Sequence, residues 1–203
     1  MQIVDNKAVL LQLRHPAKVT TVIPKSKELP NNKVLVRWGI DEAHVLKNLN
    51  IKIPSPIEGK YTWTGKYAPF AHQKTTSSFL TMHKRAFCFN EQGTGKTASA
   101  IWASDYLMNA GVIRRVLVIC PLSIMDSAWR NDLFTFAMHR KVGVAYGSKK
   151  KRTEVITGDA EYVVINYDGV NIVADAIAKG NFDLIIVDEA THYKNAQTKR
   201  WKT

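Results

Sequence analysis

The chain has 203 residues, 45% of them hydrophobic, which is enough for one substantial domain with a real core and a smaller module beside it. Its 29 Lys and Arg against 17 Asp and Glu give a net charge of +12 and a pI near 9.7, pointing to a polyanionic partner, with nucleic acid first and a generally basic soluble protein as the alternative. Two cysteines and six histidines in no metal-ligand spacing argue against a disulfide scaffold or zinc module, and no signal-like amino terminus or apolar run of membrane-spanning length is present, so a cytosolic protein without a membrane partner is expected.

Residues 1–60 read as a small β-rich accessory module. Short β-prone runs at 9–13 (VLLQL), 19–23 (VTTVI) and 34–38 (VLVRW) are separated by turn signals at Pro24, Pro30, Asn31 and Asn32. A short helix follows over 41–50, DEAHVLKNLN, with Asp41 as its cap and Glu42 in its first turn. Its DEAH string follows a half-exposed, alternating strand, so it is assigned no catalytic role. Pro54 and Pro56 make an extended linker.

Residues 61–203 read as the main α/β domain, a parallel sheet covered by helices. A helix is expected over about 70–83, containing His72 and Gln73. A glutamine amide donates and accepts together, which suits an adenine edge, although an ordinary surface residue is the simpler reading of Gln73 alone. The apolar run Ala86, Phe87, Cys88, Phe89 then reads as a strand leading into the glycine loop EQGTGKT and a helix over 97–109 that stops at Gly111. Cys88 and Cys120 are each expected in buried strands. Further strands are expected at 115–120, 142–146, 162–165 and 184–187. Between them lie a helix capped by Ser123 that bears Ile124, Met125, Trp129 and Leu133, a basic run SKKKR at 148–152, and a helix near 171–179.

Two motifs carry chemistry. Gly93 and Gly95 permit a tight curl whose N–H groups face inward, so Gly93, Thr94, Gly95, Lys96 and Thr97 suit the phosphates of ATP. Lys96 would reach the β and γ phosphates and the Thr97 hydroxyl would ligate Mg²⁺. Asn90 stands where the strict phosphate-loop pattern has glycine. The second motif is LIIVDE at 184–189, four apolar residues read as a strand buried on both faces. It delivers Asp188 as a Mg²⁺ residue and Glu189 as the residue that orients or deprotonates water.

The order AHQ (71–73), EQGTGKT (91–97), VICPLSIMDSAW (118–129), INYDG (165–169) and VDEATHYKN (187–195) resembles the first, RecA-like motor lobe of superfamily-two helicases. It is most similar to the Swi/Snf family, particularly short bacteriophage versions. The resemblance covers roughly residues 61–203. It implies that Gln73 reads adenine, that Lys96, Asp188 and Glu189 serve catalysis, and that Pro121, Leu122, Ser123, Asn166 and Tyr167 track the backbone of double-stranded DNA, with SKKKR either adding to that track or forming a solvated basic loop.

The expected function is an ATP-dependent DNA translocase or helicase that hydrolyses ATP weakly by itself. The alternatives are a nucleotide-gated DNA-binding or docking module without turnover, and a P-loop kinase. Thr191 and His192 depart from the family's usual DEAH string. The resemblance also implies a second lobe with an arginine finger beyond Thr203. A further strand would normally insert between the cradle strand and the acidic strand, so a gap or a distorting direct pairing is expected there.

Overall fold

The computed structural model describes residues 1–189. The chain divides into two compact units, Met1–Thr62 with Pro69–Thr94, and Trp63–Ala68 with the described residues from Gly95 onward. Residues 69–94 thus go with the first unit and 63–68 with the second.

The first unit is built on an antiparallel sheet of order β1-β2-β4-β3, from β1 (Gln2–Val4), β2 (Ala8–Gln12), β3 (Lys27–Leu29) and β4 (Lys33–Arg37). Alternation in β2 and β4 buries Val9, Leu11, Val34 and Val36 on one side, where they join Val19, Ile23, Trp38 and Leu46 in one core. The run 19–23, expected as a strand, is instead α1 (Ala17–Thr20) and the turn after it. Val19 and Ile23 are both buried at i, i+4 spacing, so helical packing overrides the β propensity of the Val and Thr residues.

Helix α2 (Ile40–Asn48) begins after Gly39, not Asp41. Asp41 and Glu42 lie in its first turn, where they complement the helix dipole. Helices α3 (Ile57–Lys60) and α4 (Ala71–Thr81) complete the unit, and α4 matches its expected span closely. Its first turn is closed by Gln73 Oε1, which accepts from the Phe70 N–H at 2.9 Å.

The expected strand at 86–89 does not form. Phe87 and Phe89 are 74% and 88% exposed and stack on each other with centroids 5.7 Å apart, and Cys88 is half-buried outside any strand. An extended run becomes a strand only with a ladder partner and a covered face, and this one pairs with no strand among the described residues.

The second unit carries a parallel sheet of order β6-β7-β5-β8, with α5 (Lys96–Asn109), β5 (Val116–Cys120), α6 (Asn131–Phe136), β6 (Val142–Ala145), α7 (Lys149–Thr157), β7 (Tyr162–Asn166), α8 (Tyr167–Ile172), α9 (Ala174–Ala178) and β8 (Leu184–Val187). Strands β5 and β7 are buried at every position because helices cover both faces. One face packs Ile101, Trp129, Leu133 and Tyr162, and the other Ile156, Tyr167 and Val173.

Strand β8 departs from its expected burial on both faces. Ile185 and Val187 are 55% and 39% exposed, since β8 is the terminal strand of the sheet and one of its faces lies uncovered among the described residues. SKKKR is not a loop. Ser148 caps α7 and Arg152 is buried, donating to Gly147 O, Ala145 O and Asn166 Oδ1. Ser123 is likewise no cap but the middle of a 3₁₀ turn, Leu122–Ile124. That turn leads into π-helical Met125–Arg130 before α6. No described helix is long and apolar enough to cross a membrane.

Candidate nucleotide site and its partner loops

The division between the units falls between Thr94 and Gly95, within the glycine loop. In the first unit Gly93 has φ +80, a conformation closed to most side chains, and a Cβ built there would meet nothing within 4 Å. The backbone therefore curls past open space, as an anion-holding loop requires. Thr94 is anchored from both directions: its hydroxyl donates to Glu91 O at 2.8 Å, and its carbonyl accepts from His72 Nε2 at 3.0 Å and Gln73 Nε2 at 3.3 Å. Asn90, in the position where the strict pattern has glycine, donates to Thr76 Oγ1 at 2.8 Å and so ties the start of the loop to α4. AHQ and the loop are thus one hydrogen-bonded assembly, with the amide of Gln73 spanning Phe70 and Thr94.

In the second unit Gly95 is the residue before α5, with φ +75 and ψ +39. Only a residue free of a Cβ takes that turn cheaply, and it directs the first N–H groups of a 14-residue helix outward from its amino end. Lys96 and Thr97 form the first turn there, both half-buried. Helix N–H groups, a lysine and a hydroxyl together make a donor set for phosphate.

Asp188 and Glu189 follow β8 at its carboxyl end. The Asp188 N–H extends the parallel ladder by donating to Ile119 O at 2.9 Å, which fixes the carboxylate at the sheet edge. Its Oδ2 accepts from Trp129 Nε1 at 2.8 Å and its Oδ1 from the Glu189 N–H at 2.9 Å. Its carbonyl accepts from the Tyr167 hydroxyl. Glu189 is exposed and sits at φ +53, a left-handed conformation uncommon for a long side chain, and strain of this kind costs on the order of 1 kcal/mol or more. Beside them the Cys120 thiol is pushed up to about 12 by burial first and then by the charges of Asp188 and Glu189.

The segments expected to track DNA divide into exposed and buried parts. Leu122 and Ser123 are exposed just past the carboxyl end of β5, with Pro121 half-buried before them. Asn166 and Tyr167 are instead buried, and their side chains are engaged inward, Asn166 with Arg152 and Tyr167 with Asp188. In the sequence Trp129 stands only as one of the apolar residues on the helix expected after Ser123. Its ring is indeed buried, but the indole N–H also serves Asp188, and a buried indole in need of an acceptor was the signal. Arg152 was similarly hidden in a basic run. Thr191 and His192 lie outside the described residues.

A parallel sheet with a glycine loop opening a helix, and with an acidic pair at a strand's carboxyl edge, defines a RecA-like lobe of the superfamily-two helicase type. The chain belongs to the family described as Type III restriction enzyme, res subunit, whose model matches residues 64–203. It is 28% identical over 108 residues to an uncharacterized ATP-dependent helicase, MG018, of Mycoplasma genitalium, a match covering 52% of this chain and 10% of that protein. It is 29% identical over 120 residues to Helicase SWR1 of Cryptococcus neoformans, covering 56% of this chain and 10% of that one.

Among solved structures it is similar to the SWI2/SNF2 ATPase core of Sulfolobus solfataricus in complex with double-stranded DNA. The TM-score is 0.61 at 26% identity, over 69% of this chain and 30% of that chain. The domain is thus of the superfamily-two helicase type, with a Swi/Snf-like first lobe. The chain spans about a tenth of the length of the curated relatives it matches.

Proposed function

We propose that this chain supplies the nucleotide-binding motor lobe of an ATP-driven translocase acting on double-stranded DNA. The observation that carries the proposal is the pair of bonds that reach Asp188 from Trp129 and Tyr167. Tyr167 lies in INYDG and Trp129 in the helical turn that directly follows Pro121–Ile124, so one proposed DNA-tracking segment bonds the residue proposed to face the nucleotide and the other is joined to it through the next turn. A shift of either segment on DNA would be felt at the acidic pair, which is what coupling of hydrolysis to movement requires.

The residues present fit ATP and Mg²⁺. Gly93 curls past open space, Gly95 opens α5, and Asp188 holds its carboxylate with two donors while its remaining lone pairs are uncommitted by those bonds. Gln73 would orient the base, Thr94 and the loop N–H groups would cradle phosphates, and Lys96 would meet the outer phosphates. Thr97 and Asp188 would hold Mg²⁺, and Glu189 would accept the proton of the attacking water. When bound, Mg²⁺ supplies neutralisation of phosphate charge. Pro121, Leu122 and Ser123 would meet the DNA backbone directly, whereas Asn166 and Tyr167 would shape their turn from within. A second RecA-like lobe is the proposed partner, since an arginine supplied from outside is worth about 10³ to 10⁵ in rate in related phosphoryl transfer.

Steady-state ATP hydrolysis with and without duplex DNA, beside Lys96→Ala and Glu189→Gln, tests the reading. DNA-stimulated turnover abolished by both substitutions supports it, as does Mg²⁺-dependent ATP binding that Lys96→Ala removes even where turnover awaits a second lobe. ADP release that depends on a small-molecule acceptor and not on DNA would overturn it in favour of a kinase.

A further inference from the structure

The first unit's sheet has two unlike faces. One packs against the core that includes Val19, Trp38 and Leu46. The other is fixed by strand register: Lys33, Leu35 and Arg37 of β4 share a side, Gln12 lies opposite Lys33, Leu10 lies opposite Leu35, and Lys27 of β3 lies opposite Leu35 from the other flank. Lys27, Lys33 and Arg37 are all exposed, and none of the outward positions paired across β1 to β4 holds an acidic or an aromatic residue.

Spacing turns these three cations into a patch. Lys33 and Arg37 are four residues apart on one strand, roughly 13 Å, and Lys27 stands about 5 Å to the side of their midpoint. Lys60 extends the patch at the Arg37 end, close enough that the Arg37 charge, after burial, helps lower its pKa. Among the described residues the Glu42 carboxylate reaches in, its Oε1 lying 3.9 Å from an Arg37 guanidinium that is still 72% exposed. Glu42 is itself only 15% exposed and offsets part of the Arg37 charge, while Lys27 and Lys33 take part in no ion pair among the described residues.

We infer that this open sheet face binds the phosphate backbone of double-stranded DNA, as a second contact beside the proposed motor loops. The inference rests on the reading that the chain works on duplex DNA. A cluster of cations offset only in part, by Glu42 at Arg37, is complementary to phosphate. The lack of an aromatic platform disfavours a single strand, whose exposed bases need rings to stack upon. Small apolar centres at Leu10 and Leu35 between the cations leave the lysine and arginine stems free to lie flat while their heads reach phosphates. Recognition of this kind reads shape and charge and no base sequence.

The test is equilibrium binding of the 203-residue chain to a short fluorescein-labelled duplex across a salt series, without nucleotide. One variant carries Lys27→Gln, Lys33→Gln and Arg37→Gln together; a second carries the charge-preserving set Lys27→Arg, Lys33→Arg and Arg37→Lys. The inference expects the neutralised variant to lose affinity by about tenfold or more and to flatten the slope of log K against log salt by about 2 to 3, at roughly 0.9 per lost phosphate contact. The charge-preserving variant should stay near the parent, and both should bind Mg-ATP as the parent does, which reports an intact fold.

Duplex affinity and salt slope unchanged in the neutralised variant would overturn the inference while leaving the proposed motor function standing. A loss seen with a single strand but not with the duplex would overturn the choice of ligand. A parent chain that binds no duplex at low salt would overturn both readings together.

Discussion

The indole Nε1 of Trp129 donates to Asp188 Oδ2 at 2.8 Å, from a ring that is otherwise buried in the core beneath the parallel sheet. The ring thus does two jobs, filling volume and aiming a carboxylate. Trp129→Phe keeps most of the volume and removes the donor. A hydrogen bond to a charged group contributes about 1.5–3 kcal/mol, so a modest fall in thermal stability is expected. A larger effect is expected on Mg²⁺ dependence, with the metal concentration for half-maximal ATP binding raised severalfold. Titration of ATP binding against Mg²⁺ measures it, and an unchanged midpoint would show that Asp188 needs no such aim.

Gly169 lies where a Cβ would come within 2.2 Å of Arg152 Nη1 and 2.8 Å of Asn166 Oδ1. The glycine of INYDG is therefore room for a buried guanidinium, whose bonds to Ala145 O and Asn166 Oδ1 close the turn after β7. Gly169→Ala should displace Arg152 and cost roughly 1–3 kcal/mol through overpacking and a broken buried bond. Chemical denaturation of the variant beside Ser148→Ala, which removes only the α7 cap, would separate this from a general weakening of α7.

Asp105 is fully buried on α5 and is met by Arg140 Nε at 2.6 Å and His139 Nε2 at 2.9 Å, while Arg140 Nη1 also reaches Glu161 at 2.8 Å. Burial opposes the charge on Arg140, but its bonds and charge pairing with Asp105 and Glu161 outweigh this and raise its pKa. Arg140→Met leaves Asp105 with a weaker partner, and breaking such a buried pair costs about 3–5 kcal/mol. Its thermal midpoint should drop by roughly 10 °C. Adding Asp105→Asn should recover part of the loss, since the uncompensated charge is then gone.

Cys120 is buried in β5, and its thiol, ordinarily near 9.0, is pushed up to about 12. The nucleophile is the thiolate, so at pH 8 the native chain should react quickly with a thiol reagent only at half-buried Cys88, and at Cys120 only after unfolding. The sign for stability follows. Between pH 9.0 and about 12 the unfolded chain loses the Cys120 proton and the folded chain keeps it, so folding weakens as pH rises through that window. Thiol titration with and without denaturant checks the first statement, and unfolding at alkaline pH beside Cys120→Ala the second.

Periodicity and punctuation alone determined strands β2 and β4 of the first unit and α5, β5, β6, β7 and β8 of the second. Each rests on local preference: glycine at positive φ, apolar runs long enough for one strand, and helix stops such as Gly111. Tertiary structure decided the rest. Val19 and Ile23 became one helical face because the core beneath β2 and β4 needed both. Phe87 and Phe89 stayed out of any strand, and Ile185 and Val187 stayed exposed, because an apolar run is buried only where a partner covers it. The bonds of Trp129, Tyr167 and Arg152 join residues 59, 21 and 14 positions apart to their partners. No local pattern encodes such distances; only the folded sheet brings those atoms within reach.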